Sequence, residues 1–338
     1  MTTILITGAG GEVGYTLIHE LAKNKDNYVV ATSLHELPPE SEKESSEFIQ
    51  MDITDKDSVT SVFAKHEFDT IFHLASILST GGEKTPELAL DVNTIGSINI
   101  LEAATKQGLE IKKSIKFIFP SSIAAYGIPN LEEKKKAGKV TEKEYGHPIT
   151  MYGMTKIFTE NLGIYFSENY QMLSDIDRDN LIDFRCVRFP GLLSPDTLPS
   201  GGTSDYGSEM VHSAAQKRDY ASFVRADSKI PFMAMIDAVM GIIKLSEADK
   251  KSLSQKVYNI RGFSPRASEI ADEAHKLFPG TKITYDNINE ILQGIVDSWP
   301  EDLDDSPAQK DWGFKAKYDF ERTFEKYLLP KIKERYGI

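Results

Sequence analysis

The chain has 338 residues, of which 40% are hydrophobic and 27% charged, and its formal net charge is −12. This length and hydrophobic content suffice for a sizeable core in one large domain, with or without a smaller lobe. The acidic balance repels phosphate backbones and anionic membrane surfaces, so we expect neither nucleic acid nor membrane as a partner. The expected ligands are therefore small molecules.

Cysteine content and the N-terminal residues bear on the compartment. Cys186 is the single cysteine, so no internal disulfide can form, and it lies in the apolar run from Phe184 to Phe189, which favours a place in the core. Residues Met1 to Thr7 carry no basic segment, and no apolar run approaches the roughly 20 residues of a membrane span. We expect an unprocessed cytoplasmic protein.

The chain begins with a β-rich run, Thr3 to Thr7, then glycines, then apolar residues at helical spacing. This order predicts a strand, a turn and a helix. Six later runs predict strands: Tyr28 to Ala31, Phe48 to Met51, Thr70 to Leu74, Lys116 to Phe119, Phe184 to Arg188 and Val257 to Ile260. Helical patterns such as Leu88 to Ala104 and Tyr152 to Phe166 lie between them. Such alternation predicts an α/β fold with a doubly wound parallel sheet, the Rossmann fold.

The pattern loosens after Pro190, and the tail from Pro265 contains helices and turns without strand alternation. We therefore predict a Rossmann domain over residues 1–190, with later strands returning around 230–262. Residues 191–229 and 263–338 are predicted to form a smaller substrate-binding lobe at the C-terminal side. Two charged stretches, Glu40 to Glu47 and Glu132 to Lys143, are predicted to be solvated surface. The seven histidines show no metal-ligand spacing, so no metal site is predicted.

A glycine-rich turn joins the first strand to the first helix. It places backbone N–H groups and the positive end of the helix where a pyrophosphate can lie. Glycines also serve ordinary turns, but a preceding strand and a following amphipathic helix are the context typical of dinucleotide binding. The residues predicted to bind the dinucleotide here are Gly8, Gly11, Glu12, Val13 and Gly14.

The second strand ends at Ser33, where dinucleotide-binding folds usually carry an acidic residue that binds ribose. A serine can still hydrogen-bond a ribose hydroxyl, but it repels a 2′-phosphate less. Against NADP, no Arg or Lys occurs between Lys25 and Lys43, and Glu36 would oppose a phosphate. NAD is the predicted cofactor, with NADP as the alternative.

Tyr152 and Lys156 are four residues apart and would share one face of a helix. A tyrosine of pKa about 10 is a poor base, but a neighbouring ammonium and a positive nicotinamide ring favour its phenolate. Tyr152 is then a plausible general base for a hydroxyl whose carbon gives up hydride. Ser121 and Ser122 follow a strand, at the end where ligands bind in such sheets. Each feature alone also occurs on ordinary surfaces, but together they predict a catalytic site.

These motifs resemble the extended short-chain dehydrogenase/reductase superfamily over about the first 190 residues. The matching residues are Gly8-x-x-Gly11-x-x-Gly14, Asp52-Ile53-Thr54-Asp55, His73-Leu74-Ala75-Ser76, Asn93, Ser121-Ser122 ahead of Tyr126-Gly127, and Tyr152-x-x-x-Lys156. The resemblance implies that Ser122, Tyr152 and Lys156 are catalytic, with Ser122 bonding the substrate oxygen and Lys156 also binding the nicotinamide ribose. It also implies that Tyr152 contacts the cofactor. Further implied cofactor contacts are Asp52, Ile53, Leu74, Ala75, Asn93 and Pro190.

Later stretches resemble the L-threonine-oxidising branch of this superfamily, so that the resemblance covers nearly the whole chain. They are Leu78 to Lys84, Leu198 to Tyr206, Asp297 to Pro300, Asp304 to Ser306 and Asp311 to Gly313. The resemblance implies oxidation of L-threonine at its β-hydroxyl to 2-amino-3-oxobutanoate, a step of threonine catabolism, with hydride transfer to NAD. The implied substrate contacts are Ser79, Ser122, Tyr152, Gly202, Thr203 and Trp299. The segment from Asn130 to His147 looks longer or more polar than the resemblance leads us to expect.

Two other functions remain open. A sugar-nucleotide epimerase or dehydratase of the same superfamily would need room for a nucleoside diphosphate in the smaller lobe. A non-catalytic NAD-binding protein would share the fold, but it has no use for a base such as Tyr152. The superfamily resemblance also implies a homodimer, in which the helices from Leu88 to Ala104 and from Tyr152 to Phe166 pair with their partner copies.

Overall fold

The computed structural model describes residues 1–199 and 201–338. A central sheet is formed by seven parallel strands: β1 (Thr2–Thr7), β2 (Asn27–Ser33), β3 (Glu47–Gln50), β4 (Thr70–His73), β5 (Lys116–Ser122), β6 (Asp183–Phe189) and β7 (Val257–Asn259). Their order is β7-β6-β5-β4-β1-β2-β3, so the winding direction reverses between β1 and β4. All seven predicted strands and the doubly wound α/β fold are confirmed.

Consecutive strands of this sheet are connected through helices, because parallel strands cannot be joined by a tight turn. The crossover helices are α1 (Glu12–Leu21), α2 (Pro39–Glu44), α3 (Lys56–Lys65), α4 (Ser97–Ile111), α5 (Met151–Ile164) and α6 (Met235–Glu247). Helix α4 is preceded by the helix Pro86–Leu90 and a π-helical turn Asp91–Gly96, and α5 continues into a second π-helical turn, Tyr165–Asn169. Both long helical patterns predicted from the sequence are therefore present.

The sheet is buried on both faces, as parallel sheets require. On one face, alternate strand residues join the core that contains α1 and α6: Ile4, Ile6, Ile118 and Val187. On the other face, the intervening residues join the core that contains α3 and α4: Leu5, Phe117, Phe184 and Cys186. Cys186 is fully buried there, as predicted for a core residue. The carboxyl ends of the strands thus remain as the edge at which a ligand can enter.

Later segments reach over this carboxyl edge. Their helices are Tyr206–Ala215, Ala267–Leu277, Glu290–Asp297, Ser306–Trp312, Phe320–Arg322 and Leu329–Tyr336, with a π-helical turn Thr323–Leu328 before the last. Short parallel strand pairs join distant segments: Gly191–Leu193 with Phe232–Ala234, Tyr220–Ala221 with Ile283–Thr284, and Lys139–Val140 with Asp302–Leu303. The remaining short helices are Ser79–Lys84, Ile123–Ala125, Leu131–Ala137, Arg178–Asn180 and Lys250–Ser252. The division into residues 1–190 and a smaller lobe stays a prediction.

The charged stretch from Glu132 to Lys143 differs from its prediction as solvated surface. It contains most of the helix Leu131–Ala137, and Lys134 on that helix is only 2% exposed. The prediction is wrong at Lys134 because the side-chain ammonium has a buried partner, the Val296 carbonyl oxygen at 2.9 Å. Separately, across residues 1–199 and 201–338 no helix combines the length and apolar content needed to cross a membrane.

Candidate active site

A cavity of about 400 Å³ lies at the carboxyl edge of the sheet, where residues that end or follow β1, β2, β4, β5 and β6 converge. Segments from the later part of the chain form its opposite wall. The predicted site residues that line it are Gly8, Gly11, Glu12, Val13, Gly14, Ser33, Leu74, Ala75, Ser79, Ser122, Tyr152, Lys156, Pro190, Gly202, Thr203 and Trp299. Residues predicted from distant parts of the sequence are thus brought to one place.

The glycine turn at one end of the cavity depends on close backbone approaches. Gly8 has φ +68°, and a Cβ there would lie 2.5 Å from the Ala75 backbone nitrogen. A Cβ on Gly14 would lie 2.5 Å from the Ala9 carbonyl oxygen. Among the described residues no side chain caps the start of α1, so the first-turn amides can serve a ligand. This cradle fits the pyrophosphate of a dinucleotide.

Ser33 lies at the end of β2 beside the glycine turn, since a Cβ on Gly10 would lie 3.1 Å from the Ser33 Oγ. This is the position at which a ribose hydroxyl would be bound in a fold of this type. Lys156 is the only Lys or Arg among the described residues that line the cavity. Nothing in the cavity wall therefore supplies a guanidinium for a 2′-phosphate beside Ser33.

Asp52, Ile53 and Asn93, predicted to contact the cofactor, do not line this cavity. Asp52 Oδ1 accepts hydrogen bonds from the Thr54 backbone N–H at 2.8 Å and hydroxyl at 2.7 Å. Ile53 is 5% exposed and packs against Gly96. Asn93 is buried, where its Nδ2 donates to Thr155 Oγ1 at 3.0 Å and its Oδ1 accepts from the Ile77 N–H at 2.7 Å.

The start of α5 is held close to the turn after β5. Thr150 caps the helix, its Oγ1 accepting from the Gly153 N–H at 3.1 Å. A Cβ on Gly153 would lie 2.0 Å from the Ala124 carbonyl oxygen, so only glycine lets the helix lie against this turn. Tyr152, in the first helical turn, thereby reaches Ser122, and the two side chains are hydrogen-bonded.

Lys156 lies one turn further along α5, and it is 5% exposed. Its Nζ donates to the Pro120 carbonyl oxygen at 2.9 Å and lies 4.6 Å from the centre of the Phe119 ring. Burial lowers the pKa of Lys156 to about 8, although Cys186 and the carboxylate of Glu160 act in the opposite direction. The ammonium is therefore a desolvated charge directly below the cavity.

Burial raises the pKa of Tyr152 to about 12, and the hydrogen bond with Ser122 lowers it by less. The ammonium predicted to favour the phenolate therefore does not bring the pKa of Tyr152 below its ordinary value. The Lys156 ammonium donates to Pro120 and lies 5.4 Å from the centre of the Tyr152 ring rather than at its hydroxyl. The side chains alone thus leave the phenol protonated at neutral pH.

A buried ion pair beside the predicted catalytic residues was not predicted from the sequence. Arg188 on β6 donates from Nε and Nη2 to the two oxygens of Glu160, at 2.9 and 2.7 Å. The Ser121 hydroxyl donates to the same carboxylate, and the Arg188 guanidinium lies 4.6 Å from the Tyr126 ring centre. Two sequence features could have indicated this ion pair: Arg188 is a charged residue in an otherwise apolar strand, and Glu160 is an acidic residue one helical turn after Lys156.

The opposite wall of the cavity contains the predicted substrate residues. Thr203 donates from its N–H to Ser79 Oγ at 3.0 Å, and their hydroxyl oxygens are 2.9 Å apart. Asp205, which was not predicted, accepts from the Gly202 N–H at 2.6 Å, and burial raises its pKa to about 6. Trp299 is 4% exposed. Ser200, within the stretch Leu198 to Tyr206, lies outside the described residues.

The cavity can therefore hold an elongated ligand between two chemically different ends. The glycine turn offers backbone donors, whereas the other end offers a phenol, hydroxyls and an ammonium. Once deprotonated, a phenol beside a hydroxyl and an ammonium can accept a proton from an alcohol. Over the described ranges, no group of three or more His, Cys, Asp or Glu side chains could hold a metal ion.

Comparisons with known proteins place this arrangement in a family. Residues 4–260 match the model of the NAD dependent epimerase/dehydratase family. The mitochondrial L-threonine 3-dehydrogenase of Bos taurus is 34% identical over 318 residues, covering 94% of this chain and 79% of that protein. The solved L-threonine dehydrogenase of Clostridium difficile is 36% identical with a TM-score of 0.85, covering 99% of this chain and 98% of that one.

A further solved structure, a monomeric L-threonine 3-dehydrogenase of metagenomic origin in its apo form, is 32% identical with a TM-score of 0.82. The match covers 98% of this chain and 99% of that one. Together with the family match, these relatives confirm the predicted superfamily, the class of NAD-dependent oxidoreductase and NAD as the cofactor. The chain belongs to the NAD-dependent epimerase/dehydratase family.

Proposed function

We propose that the protein oxidises the β-hydroxyl of L-threonine to 2-amino-3-oxobutanoate and transfers the hydride to NAD, within threonine catabolism. The observation that carries the proposal is that Ser122, Tyr152 and Lys156 share one cavity with Ser79, Thr203 and Trp299. The names of the two L-threonine dehydrogenases described above support the choice of substrate.

In this mechanism the glycine turn and Ser33 hold the cofactor. NAD, bound in its oxidised form, supplies the hydride acceptor and a positive ring that favours the phenolate of Tyr152. Ser122 donates to the substrate oxygen and orients it, while Tyr152 Oη accepts the hydroxyl proton as the adjacent carbon is oxidised. Lys156 binds the nicotinamide ribose and keeps a positive charge near the phenolate.

The charges of the cavity favour an amino acid over a sugar nucleotide. NAD would occupy the backbone donors of the glycine turn, so the phosphates of a sugar nucleotide would need cations elsewhere, yet Lys156, beside Tyr152, is the only Lys or Arg in the described lining. Asp205 adds a carboxylate to the same wall and would attract the ammonium of an amino acid. A non-catalytic NAD-binding protein is disfavoured because such a protein has no need for a base such as Tyr152 beside Ser122.

We also propose a cytoplasmic homodimer. A cytoplasmic location is supported by the buried, unpaired Cys186. Helix α5 packs against the helical segment before α4, and large apolar side chains are exposed on both and on the π-helical turn after α5. These side chains are Leu88, Ile95, Met154, Phe158 and Tyr165. Exposed apolar side chains on neighbouring helical segments support an interaction surface.

The first prediction concerns the base. Tyr152→Phe should reduce L-threonine-dependent formation of NADH at least about 100-fold, because the proton acceptor is removed while the ring remains. NAD affinity should stay within a few fold. NADH absorbance is measured with L-threonine, conversion of UDP-sugars is followed by chromatography because an epimerase or dehydratase forms no net NADH, and NAD binding is measured by calorimetry. Tyr165→Phe, outside the cavity, is the control. Turnover of UDP-sugars but not L-threonine would reject the proposed substrate.

The second prediction follows from the depressed pKa of Lys156. Its pKa is about 8 when folded and 10.5 as an ordinary lysine, so between these pH values the unfolded chain binds more protons. The stability of the wild type relative to Lys156→Met should therefore rise with pH from 8 to 10, by at most about 1.4 kcal/mol per pH unit. Urea unfolding at several pH values measures it, and a flat or falling difference contradicts the burial of a charged lysine.

The third prediction tests Ser33 in cofactor selection. Ser33→Asp should lower the Michaelis constant for NAD and raise that for NADP, since a carboxylate accepts from ribose hydroxyls and repels a 2′-phosphate. The gain for NAD is at most about 1.5 to 3 kcal/mol, the range of one charge-assisted hydrogen bond. Ser33→Ala is the matched control. A wild type that uses NADP as well as NAD would show that distant cations reach this pocket.

The fourth prediction concerns assembly. Phe158→Glu should convert a dimeric wild type into a monomer, because it replaces one of these exposed apolar side chains by a charge. Light scattering over a range of concentrations measures the mass, and Lys135→Glu on an unrelated surface is the control. A wild type that is monomeric at every concentration, as the metagenomic relative is described, would reject the homodimer.

A further inference from the structure

Lys134 is a buried ammonium outside the cavity. It lies on the helix Leu131–Ala137, where its neighbours Lys135 and Lys136 are exposed. Its Nζ donates to the Val296 carbonyl oxygen at 2.9 Å. Burying an unpaired ammonium is strongly unfavourable, so this contact compensates part of a large desolvation penalty. The side chain is therefore held to the segment that contains Val296.

The same carbonyl oxygen determines where Trp299 lies. Val296 is in the last turn of the helix Glu290–Asp297, and its oxygen also accepts from the Trp299 backbone N–H at 3.2 Å. Carbonyls at the C-terminus of a helix carry partial negative charge and favour a cation. Lys134 and the Trp299 backbone thus bind to one acceptor, and Trp299, which is 4% exposed, lines the cavity.

Backbone contacts also link the segment that contains Lys134 to the residues around Trp299. The Ile128 N–H donates to the Ser298 carbonyl oxygen at 2.8 Å, directly before Trp299. Further along, the strand Lys139–Val140 pairs with Asp302–Leu303, directly after Pro300 and Glu301. Residues 128–140 therefore contact the chain both before and after Trp299. Lys134 lies between these two contacts in the sequence.

The Lys134 ammonium stays charged near neutral pH. Burial lowers the pKa of Lys134 to about 8, whereas the nearby carboxylates of Asp297 and Glu301 raise it. Arg225 donates to both oxygens of Asp297, at 2.9 Å each, and so fixes the end of the same helix from another direction. The end of this helix is thus held by two cations.

We propose that Lys134 is a positioning residue of the substrate cavity, which acts through the Val296 carbonyl to hold the Trp299 indole as its wall. Lys134 itself does not line the cavity. The kinetic consequence rests on the proposed oxidation of L-threonine, whereas the position of the indole does not. A loosened Trp299 would enlarge the substrate end of the cavity and leave the glycine turn unchanged.

The experiment uses Trp299 as its own reporter. The chain has two tryptophans, and Trp312 Nε1 has no hydrogen-bond partner among the described residues, so Trp312→Phe leaves one indole without breaking a bond. In this background Lys134→Met is compared with Lys135→Met, an exposed neighbour on the same helix. For Lys134→Met we expect a red-shifted Trp299 emission, a Michaelis constant for L-threonine raised about fivefold or more, and an unchanged dissociation constant for NAD. Lys135→Met should change none of these.

Lys134→Gln, which keeps a neutral donor on a shorter side chain, should shift the emission in the same direction and is decisive if Lys134→Met does not fold. A folded Lys134 variant with unchanged emission and unchanged Michaelis constant would overturn the proposal. Equal weakening of NAD and L-threonine would also overturn it, since that indicates a general structural role. If the wild type does not oxidise L-threonine, the proposed function fails, while the emission comparison still decides whether Lys134 positions Trp299.

Discussion

The ion pair between Arg188 and Glu160 is the interaction on which the catalytic end of the molecule depends. It joins β6 to α5 and, through Ser121, to the end of β5, all in a region closed to water. Removing one partner of such a pair leaves an uncompensated buried charge and costs about 3–5 kcal/mol. The position of Ser122, the residue after Ser121, is therefore determined by charges that never contact the cavity.

The same burial determines the chemistry of the residues above the pair. Desolvation lowers the pKa of Lys156 and raises that of Tyr152, so both equilibria move away from the charged form that the proposed mechanism requires. Glu160, one turn after Lys156, opposes the first effect. Burial thus leaves an ammonium in an unfavourable environment and the phenol protonated, and in the proposed mechanism a bound positive ring would activate the phenol. Burying charged and polar groups for the sake of activity is expected to lower the free energy of unfolding.

Features that depend on residues close together in the sequence could be predicted, whereas features that depend on distant residues could not. Strand and helix periodicity is local, so the seven sheet strands and the long helices were predictable from residue patterns. The glycine turn and the spacing of Tyr152 and Lys156 are also local, and the residues they imply line one cavity. Lys134 and the pair of Glu160 with Arg188 were not predicted, because a charged residue is identified as buried only when its distant partner is known. Asn93 stays a predicted cofactor contact: its amide joins Ile77 to Thr155, and it does not line the cavity.

The two ends of the cavity are built by different kinds of interaction, and this bears on how the substrate end can vary. The cofactor end consists of backbone donors placed by glycines whose added Cβ atoms would collide with neighbouring backbone, so few other sequences fit there. The substrate end instead consists of side chains on segments held by individual contacts. Examples are the contact of Ser79 with Thr203 and the backbone contacts before and after Trp299. Changing one such contact moves a wall without disturbing the sheet. The same fold could therefore keep one cofactor while different outer segments select different alcohols, and under the role proposed for Lys134 the segment of residues 128–140 would take part in that selection.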